Sequence, residues 1–275
     1  MGRNDVQAAV SYLRPDSGPL RHYLAPDGEL NTGAYEERMV TVRDGRAASP
    51  PPGLDEEGFV LARHVSSVTD FKDAAQVEAI YLDEMRALVR DLTGADEVRL
   101  LGSMLRHAAR TGPGVLPPAG DVHLDYGAAT ATQLARDLAG PEAAYSRFLG
   151  INLWRAITEP PQDRPLAVCD ARSIGPDEGI ANPLIRVDAV PDADTIAREP
   201  QPGADAPAGV AFLYNPAHRW VWFPDMRLDE VLAFKLYDSD HNRAWRSAHV
   251  AFHDPLCEAV RPRESIEVRA FAYFR

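Results

Sequence analysis

Cysteine and lysine are almost missing from this chain of 275 residues. The two cysteines, Cys169 and Cys257, are too few for a disulfide framework or a thiolate metal cage, and they read as reduced, half-buried residues. Lysine occurs only at Lys72 and Lys235, and the net charge is −12. That balance offers neither the basic stripe that nucleic-acid phosphates require nor a polybasic segment for an anionic membrane. Long apolar runs are absent too, and the first residues, MGRNDVQAAVSYLRPDSG, hold no apolar stretch of the kind a secretory signal needs. A cytoplasmic protein is therefore expected. Parallel βαβ alternation, a glycine-rich phosphate fingerprint and an H-E-x-x-H motif are all lacking.

The composition, 45% hydrophobic and 25% charged, is that of an ordinary globular chain. Val77, Ile80, Tyr81, Met85, Leu88, Val89 and Leu92 recur at intervals of three and four, which predicts a helix over 73–92 that Gly94 ends. Further helices are expected at 130–138 and near 142–148. Strands are expected at 35–42, 58–64 and 97–105, and then in series at 151–157, 166–170, 210–214, 219–223, 231–237, 249–252 and 265–274. Helices early and many short strands late predict an α+β fold, a double-stranded β-helix (jelly-roll) core with flanking helices. No linker separates two composition regimes, so residues 1–275 read as a single domain. Residues 1–57 read as an irregular N-terminal extension and 174–207 as a long loop or lid.

His123 and Asp125 are separated by one residue. In extended chain, residues i and i+2 point to the same side, so an imidazole and a carboxylate converge without any special turn. A distant imidazole would complete a 2-His-1-carboxylate triad that leaves coordination positions open, as oxygen chemistry at iron requires. Downstream, His241 lies in the polar run DSDHNR and reads as a solvated turn residue. His218, after Asn215-Pro216, reads as a turn or pocket-wall residue. His253 adjoins Asp254-Pro255 at a strand end, whereas His249 opens the β-like run HVAF; position favours His249. Arg263 and Ser265 follow, sharing a face. A guanidinium clamps a carboxylate through parallel hydrogen bonds and a serine hydroxyl adds another, a receptor suited to the far carboxylate of 2-oxoglutarate. Arg261 and Arg269 are the alternatives for that role. Arg106 and Tyr126 are candidate lining residues. Trp220 and Trp222 read as core.

The segments NLWRAI (152–157), DRPLAVCDARSI (163–174), NPAHRWVWFPDMRLDEVLAFKLYDSD (215–240), HVAFHDP (249–255) and RPRESIEVRAFAYF (261–274) resemble a family of secondary-metabolism oxidoreductases. It groups the small subunit of cephalosporin 7α-methoxylase, the AsaB-type hydroxylase/desaturases and the gibberellin desaturase-like proteins. The resemblance runs from about Gly58 to the C-terminus. It implies a jelly-roll oxygenase using Fe(II), 2-oxoglutarate as co-substrate and O2, acting on a small-molecule natural-product intermediate by C–H abstraction. His123, Asp125 and His249 fall on its metal motif, and Arg263 and Ser265 on its 2-oxoglutarate element. It also favours Asn152, Arg155 and Lys235 as cofactor-binding residues. Ala156 and Val221 depart from the family pattern, which bears on substrate shape. An iron oxidase independent of 2-oxoglutarate, a zinc hydrolase and an inactive jelly-roll binding module remain as alternatives. Substrate identity, the outcome after hydrogen abstraction and self-association into a homo-oligomer stay open.

Overall fold

Two β-sheets carry the chain, and strict alternation along their strands decides what faces what. The computed structural model describes every residue except 1–4, 27, 110–114, 204, 256 and 258–261. In chain order the early strands are β1 (Val6–Leu13), β2 (His22–Ala25), β3 (Gly28–Asn31), β4 (Tyr35–Asp44) and β5 (Phe59–Arg63). Next come β6 (Glu97–His107), β7 (Val115–Leu116), β8 (His123–Leu124), β9 (Arg147–Ala156) and β10 (Leu166–Cys169). The remainder are β11 (Ile180–Arg186), β12 (Ala208–Ala211), β13 (Trp220–Trp222), β14 (Glu230–Asp238), β15 (His249–Ala251) and β16 (Glu264–Phe274). One sheet has ten strands in the order β1-β4-β13-β10-β15-β8-β12-β11-β2-β3, and the other six in the order β5-β14-β9-β16-β6-β7.

Helix α1 (Ala74–Gln76) passes through a π-helical stretch, Val77–Tyr81, into α2 (Leu82–Thr93), so the expected helix is present as one run. Asp73 caps its start by accepting from the backbone N–H groups of Ala75 and Gln76. Gly94 ends it at φ 69°, a left-handed conformation that costs glycine little. Its buried residues Met85, Leu88 and Val89 pack on the outer face of the six-stranded sheet, against Ile151 and Leu153 of β9, Val231 and Ala233 of β14, and Val268 and Ala270 of β16. The alternate residues of those strands, Trp154, Leu232, Phe234 and Phe271, meet Leu166, Val168 and Phe223 from the ten-stranded sheet in a second core between the sheets. Such aliphatic and aromatic burial contributes roughly 1.5–3 kcal/mol per side chain. A third core lies on the other face of the ten-stranded sheet, where Trp220 and Trp222 are buried with Val250 and Phe252. The tryptophans are core, as expected. Helix α3 (Ala128–Ala139) replaces the shorter helix expected there, and α4 (Ala193–Arg198) is additional.

Three expectations need correction. Residues 6–44 are not an irregular extension: β1 pairs with β4 over eight residues, β4 pairs with β13, and β2 pairs with β11. The 174–207 stretch is not simply a loop, because β11 pairs there with both β12 and β2. No helix forms near 142–148 among the described residues, since β9 begins at Arg147. No helix of the described residues is long and apolar enough to cross a membrane.

Candidate metal centre and its surroundings

Strand β8 places His123 and Asp125 on the inner side of the ten-stranded sheet, while Val122 and Leu124 enter the outer core. Strand β15 does the same for His249, whose neighbours Ala248 and Val250 face outward. His123 and His249 are direct cross-strand partners with ring centroids 4.2 Å apart. Asp125 Oδ1 lies 3.7 Å from His123 Nε2 and 3.9 Å from His249 Nε2. One ligand atom from each of the three lies within 4.8 Å of the others, the one such grouping among the described residues. His253 is exposed. His218 is buried with both ring nitrogens engaged, by Tyr12 at 3.0 Å and Glu178 at 2.7 Å. His241 is exposed, as a turn residue should be.

Protonation suits a cation. His123 Nδ1 is 2.8 Å from the Asp121 carbonyl oxygen; a carbonyl only accepts, so Nδ1 carries a hydrogen and Nε2 is the ring nitrogen left to face a metal. Burial, followed by the neighbouring His123, pushes the His249 imidazole down to about 3, so it is neutral near pH 7. Burial pulls the Asp125 carboxyl up, but Arg269, with Nε 3.0 Å from Asp125 Oδ2, and then the two imidazoles hold it below its ordinary value. Two imidazoles and a carboxylate match the donor set for Fe(II) or Zn2+.

The inner face of β16 continues the site. Arg263 is 1% exposed, yet none of its three guanidinium nitrogens has a hydrogen-bond partner. Its guanidinium lies 5.4 Å from the Trp154 ring centroid. Burial, and next Arg106, lower it to about 9. The Ser265 hydroxyl is also buried without a partner. Leaving buried polar groups unpaired costs about 1–3 kcal/mol each, more for a charge, so this pair is built for an anionic ligand. Arg106, Trp154, His123, His249 and Arg263 enclose about 10 Å³. Glu267 and Arg269 lie two and four residues beyond Ser265, and the same period of two places them on this face; Glu267 was missed from sequence, and Arg269 was read there only as an alternative clamp. Glu267 bridges Arg106 at 3.4 Å and Arg269 at 2.9 Å.

Asn152 lies on the inner face of β9, opposite Phe234 and Arg269, fully buried with both carboxamide atoms unpartnered. Arg155 and Lys235 do not join it. Arg155 faces outward and bonds Tyr81 at 3.2 Å, His64 Nδ1 at 2.7 Å and the Leu228 carbonyl at 2.7 Å. Lys235, on the outer side of β14 and fully buried, pairs with Asp238 at 2.7 Å and Asp55 at 3.2 Å. Their placement is corrected to structural ion and hydrogen-bond networks remote from the triad. A bulge between Lys235 and Tyr237 interrupts the alternation of β14 and sends Tyr237 to the inner core. Arg261 lies outside the described residues, and Arg269 is committed to Asp125 and Glu267.

Beside the triad, a cavity of about 290 Å³ is lined by residues of both sheets, including Arg106, Tyr126, Met104, Leu184 and Val210. Cys169 is no candidate nucleophile, since burial pushes its thiol up to about 12.

Comparison with known proteins agrees with this chemistry. A family profile described as an oxidoreductase/YMDC permease-like domain matches residues 10–273. The chain is 34% identical to the Fe(II)/2-oxoglutarate-dependent dioxygenase nvfI of Aspergillus novofumigatus, covering 98% of each chain. It is 31% identical to the alpha-ketoglutarate-dependent dioxygenase phiK of a fungal species, over 98% of this chain and 96% of the relative. It is 28% identical to the hydroxylase/desaturase asaB of Aspergillus flavus, over 99% of this chain and 96% of the relative. A solved structure titled iron and alpha-ketoglutarate-dependent endoperoxidase NvfI superposes with a TM-score of 0.83 at 27% identity, covering 99% of both chains.

Proposed function

This chain belongs to the oxidoreductase family of those Fe(II)/2-oxoglutarate-dependent dioxygenases and hydroxylase/desaturases, and from that premise we propose which of its residues do the work. The enzyme is a non-haem Fe(II)/2-oxoglutarate-dependent oxygenase acting on a small-molecule natural-product intermediate. Its metal ligands are His123, Asp125 and His249, its 2-oxoglutarate clamp is Arg263 with Ser265, and the fold is a jelly-roll core built as one domain over residues 1–275. The observation that carries this reading is the coincidence of three convergent ligand atoms with a buried, partnerless arginine and serine on the facing sheet.

When bound, ferrous iron with 2-oxoglutarate and O2 supplies the oxidising power for C–H abstraction, with succinate and CO2 released. The protein's part is placement. Asp121 holds His123 in one tautomer through its carbonyl oxygen, and Arg269 keeps Asp125 anionic and oriented. Arg263 and Ser265 offer the far carboxylate donors that nothing else among the described residues satisfies. Phe234, with its ring 4.6 Å from that of His249, and Trp154 exclude water. A zinc hydrolase would use the same three ligands but gives the unpaired Arg263 no purpose.

Isothermal calorimetry of 2-oxoglutarate into anaerobic, Fe(II)-loaded protein tests the clamp. Arg263→Leu is expected to weaken binding at least tenfold while iron stoichiometry stays at wild-type level. Unchanged affinity would move the clamp elsewhere.

A further inference from the structure

The inner face of the ten-stranded sheet does not stop at the triad. Register carries it outward strand by strand: His123 is paired with Ala211 of β12, Gly209 of β12 with Asn182 of β11, Leu184 of β11 with His22 of β2, and His22 with Asn31 of β3. Because side chains alternate, Asp125, Asn182, Leu184, His22 and Glu29 all look into the cavity of about 290 Å³. Gly209 keeps this row continuous, since a Cβ there would stand 3.0 Å from the Leu124 carbonyl oxygen and 3.3 Å from that of Asp125.

Asn182 is 6% exposed and its side-chain oxygen has no hydrogen-bond partner. Its two neighbours across the wall are already occupied: His22 with Glu29 at 3.1 Å, and Asn31 with the Tyr35 hydroxyl at 2.8 Å. Leu24, Leu184, Met104, Leu116 and Val210 supply apolar surface there, beside the charged Arg106, Asp121, Asp125 and Arg269. A cavity that joins apolar side chains to an unpaired buried polar group is the usual form of a specific small-molecule site. Discrimination follows from it, because a ligand that leaves that group unpaired forfeits the hydrogen bond and keeps the desolvation cost.

Resting on the oxygenase reading above, we propose that the β11–β2–β3 wall is the substrate-recognition surface. Its substrates bear a hydroxyl that pairs with the Asn182 carboxamide and an apolar body that rests on Leu24, Leu184 and Val210. A hydroxyl both donates and accepts, so it satisfies either orientation of that amide. Glu29 disfavours an anionic group at this wall: the hydrogen bond from His22 outweighs burial and holds the carboxyl below its ordinary range, so it carries negative charge.

The test uses 2-naphthol and its methyl ether, 2-methoxynaphthalene, as matched fluorescent probes, with binding read by anisotropy on metal-free full-length protein. Wild type is expected to prefer the naphthol at least fivefold. Asn182→Leu, close in shape but apolar, is expected to bind both equally with an unchanged thermal melt. Asn182→Asp, which keeps acceptor oxygens, is expected to restore the preference. Equal binding of the two probes by wild type, no binding of either, or a preference that survives in Asn182→Leu would overturn the proposal. Metal-free protein isolates the wall from the iron assignment. Loss of iron or 2-oxoglutarate binding in a separate titration would sink the oxygenase reading and leave the naphthol preference standing.

Discussion

The two faces of strands β9, β14 and β16 bury polar side chains equally well and treat them oppositely. On the outer face, beneath α2, Arg155 and Lys235 are saturated by hydrogen bonds and carboxylates. On the inner face, Asn152, Ser265 and Arg263 are buried to 0–1% exposure with their side-chain polar atoms unpaired. A saturated buried charge serves the fold, because removing its partner strands a charge. An unsaturated one is a standing cost that a ligand removes. Burial alone does not separate the two; the inventory of partners does.

The largest effect that would break this comparison lies at the metal. Asp125→Ala is expected to abolish iron binding, measured by metal analysis after gel filtration, and with it all 2-oxoglutarate turnover. Retention of stoichiometric iron would show that the inner face is not a metal centre. On the outer face, Lys235→Met leaves Asp238 paired with Arg147 alone and is expected to lower unfolding free energy by about 1–3 kcal/mol in urea. Arg263→Leu removes a buried charge that has no partner. In the same urea assay it is expected to leave stability unchanged or raise it by about 1 kcal/mol. A loss as large as that of Lys235→Met would erase the distinction between the faces.

The smallest expected effect is a pH dependence. Burial raises the Asp238 carboxyl, but Arg147, at 2.6 Å, and Lys235 outweigh it and leave the folded value below the ordinary 3.8. A carboxyl depressed by folding contributes stability that is fully present above its unfolded value and is lost as pH falls through the folded one, at about 1.4 kcal/mol per unit of displacement. Wild-type stability is therefore expected to drop below pH 4 more steeply than that of Asp238→Asn, whose profile should be flatter over the same range.

Much of the site was legible because it obeys period two. His123 with Asp125, and Arg263 with Ser265, fall on one face of extended chain by spacing alone, and the strand position of His249 separated it from exposed His253. Asn152 and Arg155, three positions apart in extended chain, point in opposite directions. Which direction led inward was not readable, because β9 is buried on both faces and neither shows polar alternation. The placement of Tyr237 was hidden by a bulge, a one-residue insertion that no periodicity reveals. Strands β2 and β3 were missed because HYLA and GELN are short and bounded by proline or glycine. The identity of β2 depends on pairing with β11, more than 150 positions away in the chain, and that of β3 on pairing with β2.

The most direct trial of the central claim is an anaerobic titration with Fe(II) and 2-oxoglutarate, following the weak visible charge-transfer absorption of the chelate. The band is expected in wild type and in His253→Ala, and is expected to be absent in His249→Ala. A band that persists in His249→Ala, or that disappears only in His253→Ala, would contradict the assignment of the triad.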